Sequence, residues 1–369
     1  MKHVLFLTYR MQLGYGVDVV VHHLALELAK RGYRSTIACL EAEPGFEGVD
    51  VVRIRATAGA VRRLAEKLQP VAIVAHTSPF FELLPELAEY PCWAWEHGDP
   101  TPSFFERDAA ERQRIKERKV AACYDRVAGV IAISDFIRHD IDWLHAHVIY
   151  NGCNHAPSLG PKPQAERAER QGAPLRVGTL MRLGAGEARY KGNDLYRQLV
   201  DTMRHRDPQV RFFAMGRGTA KDCVAFERAG IETHLNASAE EKWRYLRGLD
   251  VFISPSLWEG FNLPLVEAQA LGTVGLALDT GAHPEVTPFV ASAVEEWETL
   301  LIAYANDRGL LHRHSDLSYR FVRERFSWGE AAERFIALAL RDGPGYRPLP
   351  TRWGRALGLV QRLRGASPA

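Results

Sequence analysis

Short apolar runs of strand length alternate along this chain with longer segments of helical periodicity. This alternation predicts parallel sheets covered by helices on both faces, which is an α/β fold. In the first half, strands are predicted near residues 4–8, 36–40, 71–76, 92–97, 129–134 and 148–150. The helices predicted between them are 17–31, 60–68, 104–128 and 136–145.

Residues 157–174 interrupt this pattern. They hold four prolines and two glycines among charged and small residues, a composition that predicts a linker. The alternation then restarts, with strands predicted at 176–180, 210–215, 251–254 and 274–278 and helices at 193–206, 220–229, 239–247 and 263–271. Two doubly wound domains are therefore predicted, 1–156 and 175–330, with C-terminal helices over 331–369 that return to the first domain.

The composition excludes several classes of protein. With 47 basic and 45 acidic residues the net charge is +2, so no nucleic-acid partner is predicted. The five cysteines are scattered without a CxxC pair, which argues against a structural zinc site or a disulfide framework and favours a reducing compartment. The apolar run at 4–8 is too short for a signal peptide or a membrane span. A cytoplasmic protein is predicted.

The C-terminal tail differs from the rest of the chain. Its arginines alternate with apolar residues at Arg352, Trp353, Arg355, Leu357, Leu359, Val360, Arg362, Leu363 and Arg364. As a short basic amphipathic helix, this tail would dock peripherally on the inner face of the membrane. The alternatives are a helix packed on the protein and a frayed end.

Residues 254–268 are the most informative stretch, because they follow a buried-type strand and open a helix. In open parallel sheets, ligands bind beyond the carboxyl ends of the strands. Gly260 allows close approach of the backbone, and the helix that follows offers free N–H groups to a phosphate. Pro264 is compatible with the first turn of that helix. This stretch is predicted to bind an anion.

Charged residues flank the predicted anion site. Glu259 and Glu267 are eight residues apart, and carboxylates there accept hydrogen bonds from sugar hydroxyls. The alternative for Glu267 is a first-turn acid that only complements the helix dipole. Arg182 follows a strand and Lys191 opens the next helix, so together they would neutralise a diphosphate leaving group. Taken alone, an arginine and a lysine in a surface loop are more often solvated charges than ligands of a phosphate.

These motifs resemble glycosyltransferase family 4, in the same order and at compatible spacings. The resemblance rests on Arg182, Lys191-Gly192, the stretch from Pro255-Ser256 to Glu259-Gly260-Phe261, Glu267-Ala268, and Gly281 with Pro284-Glu285. Glu259 and Glu267 match the family's Glu-x7-Glu motif. In the first half, Gly14-Tyr15-Gly16-Val17 resembles the family's glycine-rich loop and Glu96-His97-Gly98 its loop histidine.

The resemblance implies a GT-B fold, with two Rossmann-like domains facing across a cleft, and retaining transfer without a metal or other cofactor. It assigns Arg182 and Lys191 to the donor phosphates, Glu259 to the transferred sugar and Glu267 to the ribose hydroxyls. His97 would hydrogen-bond the transferred sugar or a backbone group on the acceptor side. The remaining donor-binding residues it implies are Gly14, Gly16, Gly260, Phe261, Asn262 and Leu263.

The chain departs from the family pattern at two places. The segment between Arg182 and Lys191 is longer than the commonest spacing, so Arg189 is a rival for the phosphate contact. The stretch 271–275 lacks the proline usually found after its Gly-Thr pair. Neither departure removes a charged group.

The function implied by the resemblance is transfer of a hexose from a UDP or GDP sugar to a saccharide or lipid-linked acceptor in cell-surface glycan synthesis. No aspartate or glutamate is identified from the sequence as a nucleophile, which favours front-face substitution over double displacement. The basic and acidic residues of 104–126 read as a solvated helix face, with contact to a phosphorylated acceptor as the alternative. A sugar-nucleotide epimerase and a non-catalytic nucleotide-sugar-binding module are rival functions. A dehydrogenase is excluded because the loop at Gly14 lacks the third glycine of GxGxxG.

Overall fold

The computed structural model describes residues 1–340, apart from Leu13, Glu106, Arg107, residues 185–188 and Pro208. These residues form two parallel sheets, each with helices packed against it. The predicted α/β architecture is thereby confirmed. The basic tail around Arg352 and Arg364 lies outside the described residues, so membrane contact through it stays a prediction. No helix of the described part is long and apolar enough to cross a membrane.

The first sheet has seven strands in the order β3-β2-β1-β4-β5-β6-β7. Its strands are β1 (His3–Met11), β2 (Arg34–Ala42), β3 (Asp50–Arg53), β4 (Ala72–Ala75), β5 (Cys92–Glu96), β6 (Gly129–Ala132) and β7 (His147–Val148). The helices along this part of the chain are α1 (Gly16–Lys30), α2 (Ala58–Leu68), α3 (Ala109–Ala122) and α4 (Asp135–Asp140). Strands β4 and β5, at the centre of this sheet, are buried along their whole length, as is usual for parallel strands that helices cover on both faces.

The second sheet has six strands in the order β10-β9-β8-β11-β12-β13. Its strands are β8 (Leu175–Leu180), β9 (Val210–Gly216), β10 (Glu232–Leu235), β11 (Val251–Ser254), β12 (Val274–Leu278) and β13 (Phe289–Ala291). The helices of this half are α5 (Gln164–Glu169), α6 (Asn193–Arg206), α7 (Ala220–Arg228), α8 (Ala239–Gly248), α9 (Leu263–Ala270), α10 (His283–Val286), α11 (Val294–Asn306) and α12 (Arg308–Arg323). The short helix α5 lies inside the stretch read as linker.

The strand order reverses between β1 and β4 in the first sheet and between β8 and β11 in the second. At such a point the loops that leave neighbouring strands diverge to opposite faces and open a crevice. The loop after β1 carries Gly14, and the loops after β8 and β11 carry Arg182 and Glu259. Topology thus places the predicted site residues at two switch points.

The sequence did not reveal three strands, all at or next to sheet edges. These are β3, β10 and β13, which are three or four residues long and have at most one buried residue each. The predicted helix 136–145 is shorter than expected, because α4 ends at Asp140 and Asp142 takes a left-handed conformation with φ of 52°. The apolar pattern alone predicted too great a length for this helix.

The interpretation of residues 104–126 as a solvated helix face is wrong for Lys119. This side chain is buried in α3, and its ammonium lies 2.6 Å from Asp99 Oδ2 and 3.1 Å from a carboxylate oxygen of Glu96. Burial opposes its charge, but the two carboxylates outweigh burial and raise the pKa of Lys119. Tyr124 also donates to Glu96, at 2.5 Å. The network is structural and joins α3 to β5.

After α12 the chain packs against the first domain. Helix α13 (Trp328–Phe335) contacts α1, and a π-helical turn (Ile336–Leu340) follows it. The Phe335 ring lies 5.4 Å from that of Trp95 and 6.4 Å from that of Phe6. Lys2 donates to the carbonyl of Leu340 at 3.0 Å.

Glu285, from the second half of the chain, connects the two domains. Its carboxylate accepts from the backbone N–H groups of Asp135 and Phe136, at 2.8 and 2.7 Å, and from the Tyr150 hydroxyl at 2.7 Å. Asp135 and Phe136 form the first turn of α4, whose free N–H groups and dipole favour a negative charge.

We expect Glu285→Ala to weaken the association of the domains. The substitution leaves two N–H groups and one hydroxyl without this acceptor, at about 1–3 kcal/mol for each group that stays unpaired. The melting temperature should fall, and small-angle scattering should show a larger radius of gyration. The exposed Glu295→Ala is the control. An unchanged melting temperature and radius for Glu285→Ala would show that Glu285 does not hold the domains together.

Candidate active site

The loop 255–262 is held in place by its last residue. Asn262 takes a left-handed conformation and caps α9, its side-chain oxygen accepting from Leu265 N–H at 3.2 Å. Its amide nitrogen donates to Ser254 Oγ at 2.6 Å and lies 3.0 Å from His283 Nε2. Asn262 therefore joins the start of the helix to the end of β11. Its side chain shapes the loop, and a contact of Asn262 with the donor stays a prediction.

Lys191 and Glu259 are in direct contact, with Nζ 2.8 Å from Oε1. Their loops are joined through the backbone, because Leu257 N–H donates to the carbonyl of Tyr190 at 2.7 Å. Gly192 adopts a φ of 71°, and a Cβ there would lie 2.0 Å from the Pro255 carbonyl oxygen. Only glycine fits at such a distance. The fold thus brings together two of the predicted catalytic residues.

Gly260 lies against the first domain. A Cβ at this position would be 2.5 Å from the carbonyl oxygen of His97. The carbonyl of Gly260 accepts from Ser134 Oγ at 2.7 Å. Gly98 faces Trp258 and Ile137, with an added Cβ 3.0 and 2.2 Å from their nearest side-chain carbons. Both predicted loops, 97–98 and 258–260, therefore meet at the contact between domains.

His97 is paired with a second histidine that the sequence analysis did not single out. His97 Nε2 lies 3.0 Å from His76 Nδ1, so one ring donates to the other. Burial lowers the pKa of His97 to about 3, and the Lys119 ammonium acts in the same direction. The imidazole is neutral near pH 7, so His97 is suited to hydrogen bonding rather than to acting as a cation.

Three guanidinium groups surround the ring of Tyr15. The central carbons of Arg182, Arg10 and Arg217 lie 4.6, 5.0 and 5.3 Å from its centroid. Gly14 has a φ of 85°, and a Cβ there would be 2.8 Å from an Arg217 nitrogen. Sequence reasoning missed Arg10 and Arg217, although Arg217 directly follows β9 and the strand-end rule would have found it. Arg189, the rival to Arg182, is exposed. The cluster concentrates positive charge between the two domains.

Glu267 is almost fully buried in the first turns of α9, and its carboxylate has two donors. His155 Nε2 lies 2.7 Å from Oε1, and the Lys242 ammonium lies 2.9 and 3.0 Å from the two oxygens. Burial opposes ionisation, but Lys242 and the hydrogen bond from His155 prevail and hold the pKa of Glu267 at about 2. Neither partner was identified from the sequence.

The other predicted donor-binding residues have mixed surroundings. The Phe261 ring packs 5.1 Å from that of Phe326 and 6.4 Å from that of Tyr150, so its side chain belongs to the apolar contact between domains. Gly16 faces Leu263 across that contact, with an added Cβ 3.9 Å from Cδ1. Among the described residues, no group of three or more His, Cys, Asp or Glu side chains is placed to hold a metal ion.

Comparison with known sequences identifies the family. A model described as Glycosyltransferase Family 4 matches residues 15–156, and one described as Glycosyl transferases group 1 matches residues 177–310. The chain belongs to glycosyltransferase family 4. As a member of this family it is a transferase, as predicted from the sequence.

Two curated relatives resemble parts of this glycosyltransferase. The D-inositol 3-phosphate glycosyltransferase of Corynebacterium kroppenstedtii is 27% identical over 272 residues, which are 66% of this chain and 59% of that protein. The MMP alpha-(1->4)-mannosyltransferase of Mycolicibacterium hassiacum is 34% identical over 116 residues, 29% of this chain and 28% of that protein. The alignments thus span less than two thirds of either relative.

The fold of this glycosyltransferase is also found among solved structures. Sucrose-phosphate synthase from Thermosynechococcus elongatus matches with a TM-score of 0.74 at 14% identity, over 92% of this chain and 98% of that one. Such a low identity shows the fold alone. The predicted GT-B fold is confirmed.

Asp18 closes the glycine-rich loop of this glycosyltransferase. Its carboxylate accepts from Gln12 N–H at 2.6 Å, across the residues that carry Gly14 and Tyr15. Burial raises the pKa of Asp18 to about 7, although the Gln12 hydrogen bond and Arg10 act in the opposite direction. Because the folded pKa exceeds the unfolded one, the stability contributed by this group is present below about pH 4 and declines as the pH rises to about 7.

We expect Asp18→Asn to stabilise the protein at pH 8 and to change little near pH 4. The amide keeps an acceptor for Gln12 and removes the cost of ionising a buried carboxyl group, on the order of a few kcal/mol. Thermal unfolding of both proteins across this pH range measures the difference. A difference in melting temperature that does not vary with pH would contradict the raised pKa.

Proposed function

We propose that this glycosyltransferase transfers a hexose from a UDP or GDP sugar to a hydroxyl group of a saccharide or glycolipid, with retention of configuration, in cell-surface glycan synthesis. The observation that carries the proposal is the Lys191–Glu259 ion pair at a switch point of the second sheet. The guanidinium of Arg182 lies over the ring of Tyr15, in the Gly14–Gly16 loop of the first domain.

The paired charges suit a donor that carries both phosphates and sugar hydroxyls. Glu259 and Glu267 are each neutralised by a lysine, which lowers the cost of burying two carboxylates. A nucleotide sugar supplies a diphosphate for Lys191 and hydroxyl donors for the carboxylates. Binding of the donor would thus exchange internal ion pairs for contacts with the ligand.

The proposed reaction is front-face substitution. The bond between the anomeric carbon and the diphosphate oxygen breaks, while the acceptor oxygen bonds to the same face of that carbon. The proton of the acceptor hydroxyl passes to the departing phosphate oxygen. Lys191 and Arg182 stabilise the charge that accumulates on the diphosphate, and neutral His97 would orient the transferred sugar through a hydrogen bond.

A cavity in the first domain supports a saccharide acceptor. It has a volume of about 170 Å³ and lies at the carboxyl ends of β1 and β2. Its polar lining consists of Arg10, Gln12, Glu41, Glu43 and Arg53. Carboxylates alternating with guanidinium groups offer both acceptors and donors to a polyol, with little net charge. Arg10 also contacts Tyr15, which places the cavity next to the proposed donor site.

We expect the metal-free protein to bind one of UDP, GDP, ADP and dTDP with micromolar affinity. Isothermal titration calorimetry measures this and identifies the base of the donor. The double variant Arg182→Ala/Lys191→Ala should lose binding, because both cations proposed for the diphosphate are removed. Lys221→Ala, an exposed lysine of the same domain, is the matched control.

Binding of no nucleotide by the wild-type protein would contradict the donor site. Equal affinity of the wild-type protein and the double variant would remove Arg182 and Lys191 from it. Tight binding without any transfer to saccharide acceptors or to water would favour the non-catalytic module.

Lys191→Ala and Glu259→Ala should each lower turnover by at least about a hundredfold, the size expected for loss of one charge-stabilising group. Release of nucleoside diphosphate from the bound donor sugar measures turnover, and circular dichroism tests whether the variants remain folded. NMR of the product tests retention. Wild-type turnover in either variant would exclude that residue from the reaction.

A further inference from the structure

The buried carboxylate of Glu267 is connected to both segments that link the domains. His155 lies on the segment that leaves β7 for the second domain, and Trp328 begins α13, where the chain packs back on the first domain. Trp328 Nε1 lies 2.9 Å from His155 Nδ1, and His155 Nε2 lies 2.7 Å from Glu267 Oε1. The three side chains form one hydrogen-bonded chain.

The direction of each hydrogen bond follows from the indole. Trp328 Nε1–H can only donate, so His155 Nδ1 must accept. The proton of a neutral His155 ring is then on Nε2, where it is donated to Glu267. Trp328 thus sets the tautomer in which His155 holds the carboxylate.

The His155 ring has little freedom to move. It is 5% exposed, and the His23 ring from α1 lies 4.8 Å from its centroid and stacks on Trp328 at 5.6 Å. The backbone around it is equally constrained. Trp328 N–H donates to Asn154 Oδ1 at 2.8 Å, and Gly152 lies so close to Trp328 that a Cβ would be 2.2 Å from its nitrogen.

Lys242, the second donor to Glu267, is held less firmly. Its side chain is 26% exposed, against 3% for Glu267. Its ammonium spans both carboxylate oxygens and lies 3.9 Å from the centroid of the Trp243 ring. A ligand hydroxyl can donate to Glu267 only through one of these two carboxylate oxygens, which Lys242 now contacts. The partly exposed lysine can rotate into solvent, whereas the enclosed histidine keeps its position.

We propose that His155, oriented by Trp328, is a positioning residue that aims Glu267 at the ribose hydroxyls of the donor, while Lys242 occupies the carboxylate until the donor arrives. The inference rests on the proposed function, since it takes Glu267 as the group that binds ribose. In this arrangement, residues on the segments that connect the domains orient the carboxylate that binds ribose.

The ratio of two dissociation constants tests this role. The nucleoside diphosphate found to bind is compared with its 2′,3′-dideoxy analogue by calorimetry, using the full chain. The wild-type protein should bind the analogue at least about tenfold more weakly. In His155→Leu this ratio should fall to within about threefold of one, while the analogue itself keeps its wild-type affinity.

Two further variants separate positioning from a general loss of structure. His155→Gln supplies both an acceptor for Trp328 and a donor for Glu267, so it should restore most of the wild-type ratio. Lys242→Met removes the other donor to the same carboxylate and should keep the ratio or increase it. A ratio lost equally in His155→Leu and His155→Gln would contradict the hydrogen-bonded chain.

Each remaining outcome has a separate meaning. A wild-type ratio in His155→Leu overturns the positioning role. If the wild-type protein binds the nucleotide and its dideoxy analogue equally, Glu267 does not read ribose, and the inference fails while the donor site stands. If it binds neither, the proposed function fails and the inference fails with it.

Discussion

The site of this glycosyltransferase depends on a contact between two backbones. Gly260 lies so close to the carbonyl oxygen of His97 that no side chain fits between them. Ser134 donates to the Gly260 carbonyl, and Glu285 accepts from the first turn of α4 nearby. Because each of these contacts holds a backbone group of one domain or the other, they fix how the two switch points face each other. The positions of the site residues on both domains therefore depend on this contact.

Charge is the second constraint on the site. A buried carboxylate is costly unless a cation or several hydrogen bonds compensate it. Glu259 is compensated by Lys191, and Glu267 by Lys242 and His155. Three guanidinium groups also lie around the ring of Tyr15, and like charges at these distances repel one another. This distribution of charge suits the proposed exchange of partners with a ligand that has both phosphates and hydroxyls.

Sequence patterns predicted the central strands well and the edges poorly. The predicted strands at 251–254 and 274–278 coincide with β11 and β12, since both are buried on two faces and read as continuous apolar runs. Strand β10 is only half buried and has no such run. Lys119 shows a different limit. In sequence it belongs to a strongly charged helix, and only the packing of α3 on β5 makes it a buried partner of Glu96.

The sequence by itself determined where the charged loops follow the strands, that a helix starts at Leu263, and which residue types the site contains. These features depend on interactions within a few residues, such as the capping of α9 by Asn262. Tertiary structure alone decided which side chains meet. Lys191 and Glu259 are 68 residues apart, His155 and Glu267 are 112 apart, and Glu285 reaches Asp135 across 150. No local pattern encodes such pairs. Lys191 meets Glu259 only when the strands of the second sheet assemble, and the other two pairs form only when the second domain packs against the segments that come from the first.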